Sequence, residues 1–144
     1  MASLHRYNVQ IRWDDLDMFG HVNNVQYHSY LQEARVDLLF TNAQSYGLHG
    51  PGSMSEGIVV AHQSMDHKIP IEFPCQPVIV ETQVVRIGGA SFTLGIRILD
   101  SADEARVYAT ATTVLVPIDK DTHKSRRLTD GERAMLAHFC APDS

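Results

Sequence analysis

The chain has 144 residues, 44% hydrophobic and 20% charged, with a formal net charge of −5. Those values suit one globular domain around one core and exclude a disordered chain. The acidic balance argues against nucleic acid, which selects a basic face, but not against a small anion met by a local group of Arg and Lys. Two cysteines, Cys75 and Cys140, make no disulfide framework and fit a reducing compartment. There is no apolar run of 18 residues and no apolar leader. No membrane span is therefore predicted, and a cytoplasmic protein is the expectation.

Residues 5–13 alternate, with Tyr7, Val9, Ile11 and Trp13 on one face and Arg6, Asn8, Gln10 and Arg12 on the other. That period predicts a half-buried strand. Residues 14–23 form an acidic, glycine-containing loop. From Asn24 to about Ala43 the period changes to that of a helix. Tyr27, Tyr30, Leu31, Ala34, Leu38 and Leu39 share one side, which Val36 and Phe40 widen. Residues 44–57 read as a long loop, and 69–74 as an extended segment interrupted by Pro70 and Pro74, an edge or a bend.

The rest alternates as strands. Ile58 to Gln63 begins one, Val78, Val80, Thr82 and Val84 mark the next, and Gly88-Gly89 turns the chain. Phe92, Leu94, Ile96 and Ile98 follow, and Val107 to Leu115 forms a long strand ended by Pro117. Thr129-Asp130-Gly131-Glu132 is a capping box that opens a short helix through Phe139. Strands in hairpin succession without intervening helices predict an antiparallel sheet, and one long apolar helix needs that sheet to bury it. The class is α+β in a single domain, residues 1–144.

Chemistry concentrates before the long helix. Asn23 or Asn24 is a natural N-cap, and the helix start offers unpaired amides at the positive end of the macrodipole. A carboxylate just upstream of such donors suits acyl chemistry, one group attacking or activating water while amides hold the oxyanion. On local evidence alone Asp17 reads first as a turn or capping acid, because Asp often satisfies loop amides. The eight histidines form no HExxH or paired Cys/His pattern, so no metal site is predicted. No Gly-x-Ser-x-Gly elbow supports a serine triad, and Cys75 reads as a packed thiol.

The segment Asp15-Leu16-Asp17-Met18-Phe19-Gly20-His21-Val22-Asn23-Asn24-Val25-Gln26-Tyr27 resembles the signature D-x-D-x-x-G-H-V-N-N-x-x-Y. That signature marks hotdog-fold acyl-CoA thioesterases of the 4-hydroxybenzoyl-CoA thioesterase type. Ile87 to Phe92 resembles the family's glycine-serine turn, and Val116 to Asp119 its terminal strand exit. Gln76-Pro77 departs from a common Gly-Asp pair, and the turn serines are reduced to Ala90-Ser91.

The resemblance implies a curved antiparallel sheet wrapped around one long central helix, paired into homodimers or dimers of dimers with sites between subunits. It places the catalytic carboxylate on Asp17 and the carbonyl-polarising amide near Asn24, without any cofactor. The expected activity is hydrolysis of an acyl-CoA thioester, by Asp17 as nucleophile or as general base. Hotdog enoyl-thioester hydratases, or a non-catalytic acyl-CoA binder, are the alternatives.

His21 reads as orienting the loop or shuttling a proton. Gly20, Asn23, Tyr27 and Ser91 are candidate substrate contacts, with Tyr27, Tyr30 and Leu31 candidates for an acyl channel. Lys124, Arg126 and Arg127 form the densest basic group for the CoA phosphates, with Arg86 and Arg97 as strand candidates.

Overall fold

The half-buried alternation predicted over residues 5–13 forms a strand only as far as Val9 (β1, His5–Val9). Beyond it the Asp15 carboxylate accepts from the Arg12 amide at 3.0 Å and the Arg12 guanidinium at 2.9 Å. Those bonds close a single 3₁₀ turn over Trp13–Asp15. Ile11 stays buried, but the turn swings Trp13 off that face and leaves it 74% exposed. The computed structural model describes residues 4–48, 53–73 and 77–140. Cys75 and Gln76, on which two of the expectations above fall, lie outside them.

Asn23 caps helix α1 (Asn24–Val36), its side-chain oxygen accepting from the Val25 amide at 2.9 Å. Tyr27, Tyr30, Leu31 and Ala34 are buried at helical spacing, as the period requires. Winding then loosens into a π turn, Asp37–Thr41, and tightens into a 3₁₀ turn, Asn42–Tyr46, before Gly47 ends it at φ 73°. The helical run thus passes Ala43 by three residues, because only a left-handed glycine stops it. Leu38 and Leu39 are buried within the π turn, Phe40 is half-buried, and Val36 is exposed rather than part of the apolar face.

Strands β2 (Ile58–His67), β3 (Val78–Ile87), β4 (Phe92–Asp100) and β5 (Val107–Pro117) complete a five-stranded sheet in the order β1-β3-β4-β5-β2. Every pairing is antiparallel. Hairpin succession holds for β3, β4 and β5. Strand β2 instead crosses to the far edge and pairs with β5, with a register shift between Val60 and His62. The inward alternation is as predicted, since Val78, Val80, Val84, Phe92, Leu94, Ile98 and Leu115 are all almost wholly buried. At roughly 1.5–3 kcal/mol per buried large apolar side chain, this layer and the inner face of α1 supply most of the driving force for folding.

Two further elements complete the fold. Thr129 and Glu132 close the predicted capping box at the start of helix α2 (Asp130–His138). Segment 69–73 is indeed bent: Ile71 is fully buried, and its carbonyl accepts from the Val22 amide at 2.8 Å. The Ile71 amide donates to the Tyr27 hydroxyl at 3.3 Å, and His21 and Glu72 form an isolated bridge. The strand-to-strand crossover therefore lies against the loop that precedes α1.

Candidate active site

The loop before α1 folds on itself as a miniature hairpin. Leu16 and Val22 pair, the Asp17 amide donates to the His21 carbonyl at 2.8 Å, and the Gly20 amide donates to the Asp17 carbonyl at 3.2 Å. Gly20 sits at φ +78°, a region that favours glycine. Inside this turn Asp17 Oδ1 accepts from the Phe19 amide at 2.9 Å and the His21 amide at 3.3 Å. The aspartate is thus a turn acid as well, and its backbone donors orient one carboxylate oxygen while leaving the other uncommitted among the described residues.

Two residues earlier, Asp15 does a different job. It is buried, and besides Arg12 it accepts from the Tyr30 hydroxyl at 2.7 Å. Its carbonyl also accepts from the Asn23 amide at 2.8 Å, so one residue ties the loop to both the cap and the second turn of α1. Burial on its own would raise the Asp15 pKa, but the bonds from the Arg12 amide, Tyr30 and the Arg12 guanidinium outweigh it and hold the carboxyl below its ordinary value. Burial, and then the Asp15 carboxylate, push the Tyr30 phenol up.

Asp17, His21, Asn24 and Tyr27 line one cleft of about 390 Å³ together with His67 and Lys68. At its floor the helix start presents its amides unequally. The Val25 amide is taken by the Asn23 side chain and the Gln26 amide by the Asn23 carbonyl. The Asn24 amide has no acceptor among the described residues. Asp17, with its carboxylate oriented, and Asn24, with its amide unpaired among the described residues, therefore line one cavity, the two kinds of group that acyl transfer uses. His21 Nε2 lies 3.6 Å from Glu72 Oε1. Tyr27 is 2% exposed, its burial raises its phenol pKa, and it props segment 69–73 from below.

Gly20 and Asn23 shape this loop. Tyr30 and Leu31, candidates for an acyl channel, are buried in the core instead. Ser91 sits in the β3–β4 turn, its carbonyl accepting from the Gly88 amide at 2.7 Å. Arg126 is held by a two-pronged pair with buried Glu132, at 2.9 and 2.8 Å, and Lys124 lies in the same tight turn after β5. Arg97 is likewise committed to Glu81. Neither hollow lined by Asp17 includes Ser91, Lys124 or Arg126.

His67 and Lys68 are the site residues that sequence reasoning missed. They close β2, and the Lys68 and Ile69 amides both donate to the Tyr108 carbonyl, at 2.8 and 3.2 Å. The His67 ring lies 4.7 Å from that of Tyr27. Nothing in a strand exit marks these side chains beforehand, because their place depends on β2 crossing to the sheet edge beneath the start of α1. On its other side Asp17 borders a second hollow, of about 360 Å³, lined also by Trp13, Leu16, Met18, Gly20 and Phe73. Among the described residues no three His, Cys, Asp or Glu side chains gather to hold an ion. No described helix is long and apolar enough to cross a membrane.

Comparison with known proteins identifies the family and the fold. The family model described as the thioesterase-like superfamily matches residues 11–137. A candidate acyl-CoA thioesterase of Xanthomonas campestris is 35% identical, with 88% of this chain and all of that one covered at a TM-score of 0.69. A candidate thioesterase of Pseudomonas aeruginosa is 30% identical over 93% of this chain and 99% of its own, at 0.79. A thioesterase of Thermus thermophilus solved with coenzyme A and Zn is 26% identical, covering 93% and 92%, at 0.73. The uncharacterised protein YsmA of Bacillus subtilis is 27% identical over 136 residues, 90% of this chain and 83% of its own length. The chain belongs to the thioesterase-like superfamily, a thioester hydrolase built on the hotdog fold.

Proposed function

We propose that the substrate is an acyl-CoA thioester and that Asp17 carries its hydrolysis. The observation behind this reading is the shared cleft: Asp17 and Asn24 both line it, and the Asn24 amide has no acceptor among the described residues. A thioester carbonyl laid against Asn24 N–H is polarised before attack, and the same donor stabilises the oxyanion as it forms. The Phe19 and His21 amides hold Oδ1 of Asp17, so Oδ2 faces the carbonyl. That oxygen either attacks, giving a mixed anhydride that water then opens, or takes a proton from an attacking water. His21 serves as an orienting residue through its backbone bonds to Asp17. CoA leaves as the thiolate and takes its proton from Asp17 in the general-base route, or from the water that opens the anhydride in the other.

Lys68, at the cleft and without an ion-pair partner among the described residues, is the cation for the phosphate-bearing arm. The X. campestris neighbour and the coenzyme A in the T. thermophilus structure support CoA as the carrier. Ser91, Lys124 and Arg126 contribute only if they reach Asp17 from a second protomer. A homodimer, or a dimer of dimers, fits that need. The outer edge of β2 is ten residues long, unpaired among the described residues, and carries exposed Val59 and Val60. Such an edge is ordinarily covered. Light scattering of the purified chain tests the assembly. A cytoplasmic setting belongs to this reading, since a chain with only two cysteines suits a reducing compartment.

Thiol release followed with DTNB over short, medium, long and aromatic acyl-CoAs tests the reaction. We expect release from at least one class, lowered roughly 10²–10⁴-fold in Asp17→Asn. Cleavage at the wild-type rate in that variant would remove Asp17 from the mechanism.

A further inference from the structure

We propose that the second hollow beside Asp17 is the acyl site, shaped for a compact apolar acyl group, while the CoA arm leaves through the His67–Lys68 cleft. The inference rests on the hydrolysis reading above and adds to it the direction and size of the substrate's apolar end.

Large apolar side chains are unusually exposed at this place. Trp13 is 74% exposed, Met18 88% and Phe19 75%. Single exposed apolar residues need no explanation, but Trp13, Met18 and Phe73 line one hollow beside Asp17, and such a group marks a surface that something covers. Each is also placed against local preference. Met18 and Phe19 are the central residues of the Asp17–Gly20 turn, where Gly, Asn, Asp or Ser would ordinarily stand. Trp13 would have continued the buried face of β1, and the Arg12–Asp15 bonds turn it outward. Its ring meets Phe73 edge to face, with centroids 5.9 Å apart at 81°. The two rings form one wall of the hollow, and Leu16 and Met18 continue it.

The choice of occupant follows from Asp17. It is the residue common to the two hollows, so a carbonyl held over it has one substituent on each side. One side offers Lys68, His67 and the helix start, which suit a thiol arm bearing phosphates. The other offers two aromatic rings and a thioether, which suit hydrocarbon. At about 360 Å³ and open to solvent, this hollow is at the small end of ligand sites, which run from about 300 to 1,000 Å³. A branched short chain or a single ring fits that space, whereas a long chain would extend into water.

Trp13 is the only tryptophan in the chain, so its emission reports on this hollow alone. The full chain is titrated with CoA, S-benzyl-CoA and S-hexadecyl-CoA, thioethers that cannot be hydrolysed. S-benzyl-CoA should shift and saturate Trp13 emission and bind roughly tenfold more tightly than CoA, the value of burying a small apolar group. Phe73→Ala should erase that tenfold gain and leave the affinity for CoA itself unchanged. In turnover of a compact acyl-CoA, Trp13→Ala should raise KM about tenfold and Trp13→Phe should restore it. Both variants alter an exposed side chain, so folding is spared.

Equal affinity for CoA and S-benzyl-CoA with silent Trp13 emission overturns the placement. So does emission already blue-shifted and unresponsive in the free protein, which would mean that a second copy covers the hollow. Much tighter binding of S-hexadecyl-CoA overturns the size limit. Turnover with silent Trp13 overturns the acyl site alone. Saturable Trp13 response without turnover in the wild type overturns the hydrolysis reading alone.

Discussion

Two loops in this molecule place acidic residues at the start of a helix, and they use them in opposite ways. In the first turn of α2, Glu132 is 1% exposed and both its oxygens are occupied, by the two-pronged Arg126 contact and by the Thr129 amide at 2.9 Å. Before α1, the structural duty falls to Asp15, buried under Arg12 and Tyr30, and Asp17 two residues later keeps one oxygen unbound among the described residues, the oxygen proposed for the chemistry. A saturated, buried carboxylate holds a fold together; a partly exposed one, oriented by amides and left with a lone pair to use, can react. The N-terminal loop separates the two duties into neighbouring residues. The C-terminal loop performs only the first.

The sharpest break of this contrast is a pair of isosteric or truncating changes. Asp17→Asn retains an oxygen that accepts the Phe19 and His21 amides, so the turn survives. Turnover should fall roughly 10²–10⁴-fold while urea stability changes by no more than about 0.5 kcal/mol. Glu132→Ala should do the reverse. It leaves Arg126, itself largely buried, without its partner, and should cost about 3–5 kcal/mol in urea unfolding with kcat per folded molecule unchanged. If Glu132→Ala abolished turnover in a folded protein, the division of duties would be wrong. Tyr30→Phe is the intermediate case. It removes one donor from buried Asp15 and should cost about 1–3 kcal/mol, with a smaller loss of turnover as the loop's anchor to α1 weakens.

How much of this was legible beforehand follows from the range of the interactions. Period alone placed Tyr27 to Leu39 and Val78 to Val84 on their buried faces, because alternation is a local signal. The Thr129–Glu132 box was legible for the same reason. The spacing of Asp17, His21 and Asn24 could be read as one loop leading into a helix start. Trp13 was misplaced because a three-residue Arg12–Asp15 closure overrides strand period, and a side-chain bond of that kind leaves no periodic trace. Strand β2 was misplaced among the hairpins, and with it His67 and Lys68 were missed. Pairing between β2 and β5 is a choice among sheet edges that no window of sequence contains.

A pH titration of stability compares the two buried acids directly. Asp15 and Glu132 both have folded pKa values below their unfolded ones, despite the opposing effect of burial. A depressed folded value means that the unfolded chain binds protons first. The stability from each acid is therefore complete above the unfolded carboxylate range near ~4 and is lost as pH falls through the folded value. Urea midpoints should be flat between about pH 5 and 7 and should drop below about pH 4.

The smallest effect belongs to the turn itself. A Cβ on Gly20 meets no atom within 4 Å, so Gly20→Ala introduces no clash, only the left-handed backbone at φ +78°. That strain is about 1–2 kcal/mol for an ordinary residue. It bears on the hairpin whose amides orient Asp17 and not on the core. Thermal unfolding should therefore shift by only a few degrees. Turnover should fall by more than that loss explains, since relaxing the turn moves the carboxylate relative to the Asn24 amide. Proportional losses of both would show that the loop responds as part of the core, and that Asp17 is no more finely held than Glu132.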